Sequence, residues 1–219
     1  MNLKAAFIIL SVVLTGIVTS AHGQGFRGAG NPAENPAMLL QRDDVRGDLQ
    51  ITDEQKAKLY DLQQGLSSRF REAMQAGGDD PEVRRKAFEN IGKKIAEEVN
   101  AILTVAQQTR LKEIAIQLAG FSSATIAEVQ KGLAVTDEQK TKISDLVTRM
   151  KKASAEAWEK VRAGEIQFPD ALDTMKKNQK VLNIEIGKIL TQAQKDKLKT
   201  LGGKAFVETP EPTAGGSAI

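Results

Sequence analysis

An internal duplication limits the folds that this chain can adopt. The segment 49–62 reads LQITDEQKAKLYDL, and it recurs 84 residues later, at 133–146, as LAVTDEQKTKISDL. A second motif, ILTVAQ at 102–107, recurs 87 residues later as ILTQAQ at 189–194. Motifs that repeat in the same order indicate one supersecondary unit used twice. We therefore expect two tandem units, with a small insertion between the two motifs of the second.

Each copy contains two Thr-x-x-Gln motifs that have the form of a helix capping box. The threonine hydroxyl can accept from the backbone N–H of the glutamine, whose side chain can reach back to the N–H of the threonine. Acidic residues beside the first threonine of each copy also suit a helix start, because they complement the helix dipole. The motifs therefore mark helix starts rather than active sites: Thr52 and Gln55, Thr104 and Gln107, Thr136 and Gln139, Thr191 and Gln194.

Narrow apolar stripes follow these motifs at steps of three and four residues. Such stripes are typical of helical hairpins with coiled-coil-like seams rather than of a broad globular core. Gly and Pro at 77–81 and 163–169 supply the hairpin turns. The predicted fold is all-α, with two tandem units of helical hairpins at 36–120 and 121–206, elongated or cradle-shaped.

The two ends of the chain differ in composition from this helical middle. Residues 1–23 read as a secretory signal, because Lys4 precedes an apolar stretch and Ala21-His22-Gly23 fits a small-x-small cleavage pattern. We expect cleavage after Gly23 and a periplasmic or secreted protein; the alternative is an uncleaved anchor, for which the stretch is short. The Gly- and Pro-rich segments 24–35 and 207–219 predict a flexible leader and a disordered tail.

The composition argues against most catalytic chemistry. The chain has no Cys, and its single His lies within the predicted signal, so thiol nucleophiles, disulfides, Cys/His zinc sites and Ser-His-Asp triads are excluded from the mature protein. Lysines that follow a glycine lack the spacing of a phosphate loop. The net charge of +3 is far from the dense basic patch of a nucleic-acid binder. We expect no enzyme, no cofactor, no metal and no nucleic acid.

The Leu-Thr-x-x-Gln pattern resembles the Spy/CpxP family of periplasmic proteins, which is named for its LTxxQ motif. LTVAQ at 103–107 and LTQAQ at 190–194 match in full, while ITDEQ at 51–55 and VTDEQ at 135–139 replace Leu by a β-branched residue. The resemblance covers residues 36–206. The chain departs from the usual pattern by holding two units, so that a single chain would be a pseudo-dimer; whether it also forms a homodimer stays open.

The resemblance implies three types of activity. Spy-type members pair into a thin, curved cradle that holds unfolded clients without ATP, whereas CpxP-type members restrain an envelope-stress sensor kinase. A third branch binds zinc, and the missing His and Cys disfavour it here. The expected function is therefore an ATP-independent chaperone for envelope proteins in a stress response. The alternatives are a regulator that binds a membrane sensor and a helical scaffold.

Cations beside aromatic residues form the candidate client-binding surface, because charge can steer an encounter and apolar groups can prolong it. Residues 121–206 carry 16 Lys and Arg against 11 Asp and Glu, whereas 36–120 carry 13 against 14, which makes the second unit the better candidate for acidic clients. The alternative is that the aromatic residues belong to the seams and the cations are simply solvated. The candidates are Arg84, Arg85, Lys86, Phe88, Lys151, Lys152, Trp158, Lys160 and Arg162.

Overall fold

A computed structural model describes residues 31–77 and 80–209, and over these ranges the chain is helical with no strand. The predicted all-α class is thereby confirmed. The helices are, in chain order, η1 (Pro36–Gln41), α1 (Asp43–Asp48), α2 (Asp53–Gly77), α3 (Pro81–Ile102), α4 (Val105–Ala119), η2 (Gly120–Thr125), α5 (Ala127–Gly132), α6 (Asp137–Arg162), α7 (Phe168–Ile189) and α8 (Gln192–Leu201), where η denotes a 3-10 helix.

The order of elements in the first half of the chain recurs in the second. A 3-10 helix and a short α-helix are followed by two long helices and a shorter one, and the long helices pack as the pairs α2–α3 and α6–α7. The helices α2 and α6 have 25 and 26 residues, which corresponds to roughly 40 Å at 1.5 Å per residue. Two long hairpins of similar length thus dominate the described part of the chain.

The helix boundaries follow from local side-chain chemistry. At the start of α3, Asp80 accepts hydrogen bonds from the backbone N–H groups of Glu82 and Val83, at 2.8 and 3.4 Å, and Pro81 occupies the first helical position. The turn after α6 contains Gly164 at a φ of +73°, a conformation that favours glycine. The predicted turn between α2 and α3 includes residues 78–79, which lie outside the described ranges.

Two apolar clusters lie where the short helices close the open end of each hairpin. In the first half, residues of η1 and α1 pack with the end of α3 and with α4, and Val45 and Ile114 are fully buried. In the second half, residues of α5 pack with α6, α7 and α8 around Ile143 and Ile186. A third, smaller cluster of Ala157, Trp158 and Ala171 lies towards the α6–α7 turn. Along α2, by contrast, the stripe residues Leu59, Leu62 and Leu66 are only half-buried.

The connection between the halves is packed against α7. The backbone N–H of Ser122 donates to Asn183 Oδ1 at 3.1 Å, and Gln179 Nε2 donates to Ser122 Oγ at 3.1 Å. Gly187 is needed for this contact, because a Cβ at that position would lie 2.6 Å from the Phe121 ring. The joining segment is therefore a structural element and not a free linker.

Both terminal predictions lie partly outside the described residues. The predicted signal, 1–23, and most of the leader fall there, as do residues 210–219. The end of the leader is packed, since Asn31 Nδ2 donates to Ser122 O at 2.8 Å. The start of the predicted tail is also packed, since the backbone N–H of Thr209 donates to Asp44 Oδ2 at 3.1 Å. The chain is thus held as far as Thr209, the third residue of the predicted tail.

Candidate functional site

All four predicted capping boxes are present. The backbone N–H of each glutamine donates to the threonine hydroxyl at 3.2 or 3.3 Å, and the glutamine Oε1 accepts from the threonine N–H at 2.9 to 3.1 Å. These bonds satisfy backbone donors that a helix start otherwise leaves unpaired. The interpretation of the motifs as helix starts is confirmed.

The glutamines also bind each other, a contact that sequence reasoning missed. In the first half, Gln55 Nε2 donates to Gln107 Oε1 at 2.7 Å and Gln107 Nε2 donates to Gln55 Oε1 at 3.0 Å. Each amide nitrogen makes a second bond to a backbone carbonyl, that of Ile102 at 2.9 Å and that of Leu49 at 3.1 Å. Both carboxamides therefore use their oxygen and their nitrogen in full.

The same amide pair recurs in the second half. Gln139 and Gln194 exchange two bonds of 2.9 Å, and their nitrogens also donate to the carbonyls of Ile189, at 2.9 Å, and Ala134, at 3.5 Å. A glutamate could complete a capping box but could not donate these bonds. The glutamine amides thus join two helix starts that are far apart in sequence, which is a structural role.

The short helix before each long hairpin is followed by a residue in the left-handed conformation, two positions after its last helical residue. Gln50 and Ala134, 84 positions apart, both have a φ of 51°, which is unfavourable for a side chain larger than that of glycine. Each is followed by a residue whose N–H closes the preceding turn: Ile51 N donates to Arg46 O and Val135 N donates to Gln130 O, both at 3.0 Å. The two copies therefore share this left-handed backbone conformation, although the residue that adopts it is Gln50 in the first copy and Ala134 in the second.

The structure buries both aromatic residues that were predicted to contact clients. Phe88 is 7% exposed and stacks on Phe70 across the α2–α3 seam, with ring centroids 5.8 Å apart. Trp158 is 4% exposed and packs against Phe168 at 5.4 Å within the α6–α7 hairpin. Their predicted role as surface contacts is wrong for the packed hairpins, because each ring is buried against an aromatic residue of the opposite helix. The alternative, that they are seam residues, fits.

Among the described side chains, no predicted cation is placed over either ring. Lys86 lies on α3, whereas Lys151, Lys152 and Lys160 are exposed on α6. Arg162 forms an ion pair with Glu159 on the same helix. The side chains of Arg84 and Arg85 lie outside the described part of the structure. The lysines on α6 remain candidates for electrostatic capture.

Exposed apolar side chains occur instead on α7, away from its seam. Val181 and Ile184 are 45% and 56% exposed, and each lies one helical turn after an exposed lysine, Lys177 and Lys180. We call these four residues the α7 face. The sequence carried one signal for it, because Val181 and Ile184 fall outside the stripe that predicts the seam.

Acidic residues at the starts of α2 and α6 form ion pairs with lysines of the same helix. The Lys56 ammonium, 2.8 Å from Asp53, and Lys58, 2.7 Å from Glu54, lower the pKa of those carboxyl groups, and Lys140 and Lys142 do the same for Asp137 and Glu138. Within 31–77 and 80–209, no group of three or more His, Cys, Asp or Glu side chains is placed to hold a metal ion. Over the same residues, no helix combines the length and apolarity needed to cross a bilayer.

Comparison of the chain with protein-family models, with curated proteins and with solved structures found no match.

Proposed function

We propose that this protein is an exported, ATP-independent chaperone that binds unfolded or partly folded envelope proteins. We also propose that its two halves are tandem units of the Spy/CpxP type, joined in one chain as a pseudo-dimer with coiled-coil-like seams. The four LTxxQ-type motifs and the repeated order of helices support this relationship. The predicted signal supports export to the periplasm or the outside of the cell.

The single observation that carries the proposal is the α7 face. Unfolded chains present both charged and apolar groups, and a binder that releases them without ATP must hold them with moderate affinity. Two exposed apolar side chains, each next to an exposed lysine, provide a small contact of this kind. They bury little area compared with a stable protein–protein interface, so release does not require an energy source.

Charge favours the second half for the first encounter. The excess of basic residues in 121–206, with Lys151 and Lys152 exposed on α6, attracts negatively charged chains from a distance. Exposed charges raise association rates more than they raise affinity. Electrostatic attraction thus speeds the capture of a client, and the apolar contacts on α7 retain it.

Aggregation suppression by the purified mature protein tests the proposal. Several unrelated unfolding clients are mixed with the protein in the absence of nucleotide, and light scattering is followed. We expect lower scattering for most clients at near-stoichiometric concentrations, with no change on adding ATP. Failure with every client would refute the chaperone proposal. Binding confined to one membrane sensor domain would instead support the regulator.

A further inference from the structure

Two separate apolar clusters divide the seam of the α6–α7 hairpin. The second cluster lies at the base of the hairpin, and the third surrounds Trp158 near the turn. All members of the third cluster, together with the side chains packed against it, fall within residues 157–175, which we call the hairpin tip. Residues 151–156 of α6 and 176–181 of α7 are described in full and belong to neither cluster. The tip therefore has an apolar core of its own.

Polar side chains occupy the seam between these two clusters. Ser154 on α6 and Asn178 and Gln179 on α7 are half-buried there. Gln179 Nε2 donates to Ser122 Oγ at 3.1 Å and so binds outside the hairpin. Asn178 Nδ2 is shielded from solvent and has no hydrogen-bond partner, and it is the only buried side-chain nitrogen or oxygen in this state within the described residues. One unpaired donor thus lies between the tip and the base of the hairpin.

The unpaired amide of Asn178 makes the closed seam less stable than an apolar seam would be. A buried donor that bonds neither to protein nor to water has lost its hydration without compensation. When the tip opens, Asn178 becomes the last residue of the closed seam, and its amide nitrogen meets water. The recovered hydration favours opening by a factor of roughly five to 150.

The first hairpin has apolar residues at the same level. At the offsets of 84 and 87 residues that relate the two copies, Ser154 corresponds to Phe70 and Asn178 corresponds to Ile91. Phe70 stacks on Phe88 across the α2–α3 seam, and Ile91 is half-buried. The duplicated unit therefore folds with an apolar seam at this level and does not require the polar one.

A role in helix pairing does not explain Asn178. A buried asparagine in a coiled-coil seam can select the partner helix and the register, at a cost in stability. In this hairpin, residues 163–167 join α6 to α7, so the connection already determines the partner and restricts the register. The cost of the unpaired amide thus has no evident return in the closed structure.

We propose that the hairpin tip opens as a local unit while the base of the hairpin stays folded, and that Asn178 makes this opening frequent. Opening separates Trp158, which is 4% exposed in the closed form, from Phe168 and Ala171 and presents an apolar surface to the solvent. A region whose apolar contacts all lie within one motif is suited to open cooperatively without the rest of the protein. The inference concerns the chain alone and does not rest on the chaperone proposal.

Hydrogen exchange of the full-length protein, followed by mass spectrometry, tests the proposal. The helical amides at 157–162 and 172–175 should exchange at least about tenfold faster than those at 142–147 and 182–187, which belong to the base. Asn178→Leu removes the unpaired amide, so it should slow exchange in the tip by at least about fivefold and leave the base unchanged. The matched control is Asn90→Leu, the same change at an exposed site on α3, which should alter exchange in the first hairpin by no more than about twofold.

A thiol reporter measures the same opening independently. The chain has no Cys, so Ala157→Cys places a single thiol in the closed tip, where the residue is 6% exposed. Labelling of this thiol by a disulfide reagent requires opening, and adding Asn178→Leu should slow it by at least about fivefold. The converse variant Ile91→Asn places a side-chain amide in the first seam. It should speed exchange of the amides at 70–73 and 87–90 by a similar factor.

Equal exchange of the tip and the base in the unmodified protein would overturn the proposal. So would an Asn178→Leu variant in which exchange of the tip and thiol labelling are unchanged or faster, because the amide would then stabilise the closed form. If Asn178→Leu fails to fold, Ile91→Asn decides the matter, since unchanged exchange in the first hairpin would show that an amide at this level does not control opening.

Discussion

Replacing Gln139 by glutamate should destabilise the protein although it preserves a capping box. The carboxylate can still accept from Thr136 N, as Gln139 Oε1 does at 3.0 Å. Its second oxygen replaces the amide nitrogen and faces two acceptors, Ile189 O and Gln194 Oε1, both at 2.9 Å. Two donated bonds are lost, worth about 1 kcal/mol each, and unfavourable contacts between oxygens take their place.

The expected loss is about 2 kcal/mol. The new negative charge lies at a helix start, where it stabilises the helix by at most about 1 kcal/mol. It therefore offsets only part of the free energy lost with the hydrogen bonds and with the repulsion between oxygens. Urea unfolding followed by far-UV circular dichroism measures the difference as a shift in midpoint at constant slope. Gln55→Glu should cost a similar amount, because Gln55 makes the corresponding bonds in the first half.

Gln64→Glu is the matched control, since Gln64 is exposed within α2 and the change adds the same charge. It should alter stability by no more than about 0.5 kcal/mol. Acid supplies a second check on Gln139→Glu, because protonation restores one donor. The pKa of the new carboxyl is then raised in the folded state, so stability recovers as pH falls and is lost as pH rises. Equal stability of the Gln139 and Gln64 variants would refute the argument.

Three further predictions concern backbone conformation, acid sensitivity and charge. Ala134→Gly should stabilise the protein by about 0.5 kcal/mol, because left-handed backbone costs an L-residue roughly 1–2 kcal/mol. The control Ala57→Gly, at an exposed position within α2, should instead destabilise it by about 1 kcal/mol. Urea unfolding measures both changes. Arg42 lowers the pKa of Asp44, and Arg110 lowers the pKa of Asp48. The stability that these ion pairs contribute is present above the ordinary carboxyl pKa of 3.8 and is lost as pH falls through the lower folded-state values. Asp48→Asn should therefore reduce the loss of stability on acidification. Lys151→Glu with Lys152→Glu should slow association with a negatively charged unfolded client at low salt, more than the same reversal of the exposed pair Lys93 and Lys94 on α3; stopped-flow fluorescence measures both rates.

The sequence predicts those parts of the structure that depend on neighbours along the chain. Each capping box needs only a threonine and the glutamine three residues later, so all four were identifiable. The turn at Asp80 and Pro81 was predictable for the same reason, because a cap and the first helical residue are adjacent. The stripes also indicated which helices pair as hairpins.

Contacts between distant residues were not predictable in this way. The amide pair of Gln55 and Gln107 joins residues 52 positions apart, and nothing in either motif alone indicates that the two meet. The sequence pattern does not tell whether an aromatic residue is buried in the seam, as Trp158 is, or remains partly exposed near the hairpin turn, as Phe168 does at 46% exposure. The packing of residues 202–209 was missed because it depends largely on main-chain groups, such as the Lys204 carbonyl that accepts from Arg110 and Gln117, and composition does not reveal such contacts.

The most direct test of the chaperone proposal removes the apolar part of the α7 face. Val181→Gln with Ile184→Gln should weaken binding of an unfolded client several-fold, while helix content stays unchanged because both positions are exposed. The matched control is Val83→Gln with Val105→Gln, which removes two exposed valines, 45% and 78% accessible, from the first half. Client affinity is measured by fluorescence anisotropy for all three proteins. We expect only the α7 variant to lose affinity for the client, and equal affinity of the two variants would refute the chaperone proposal.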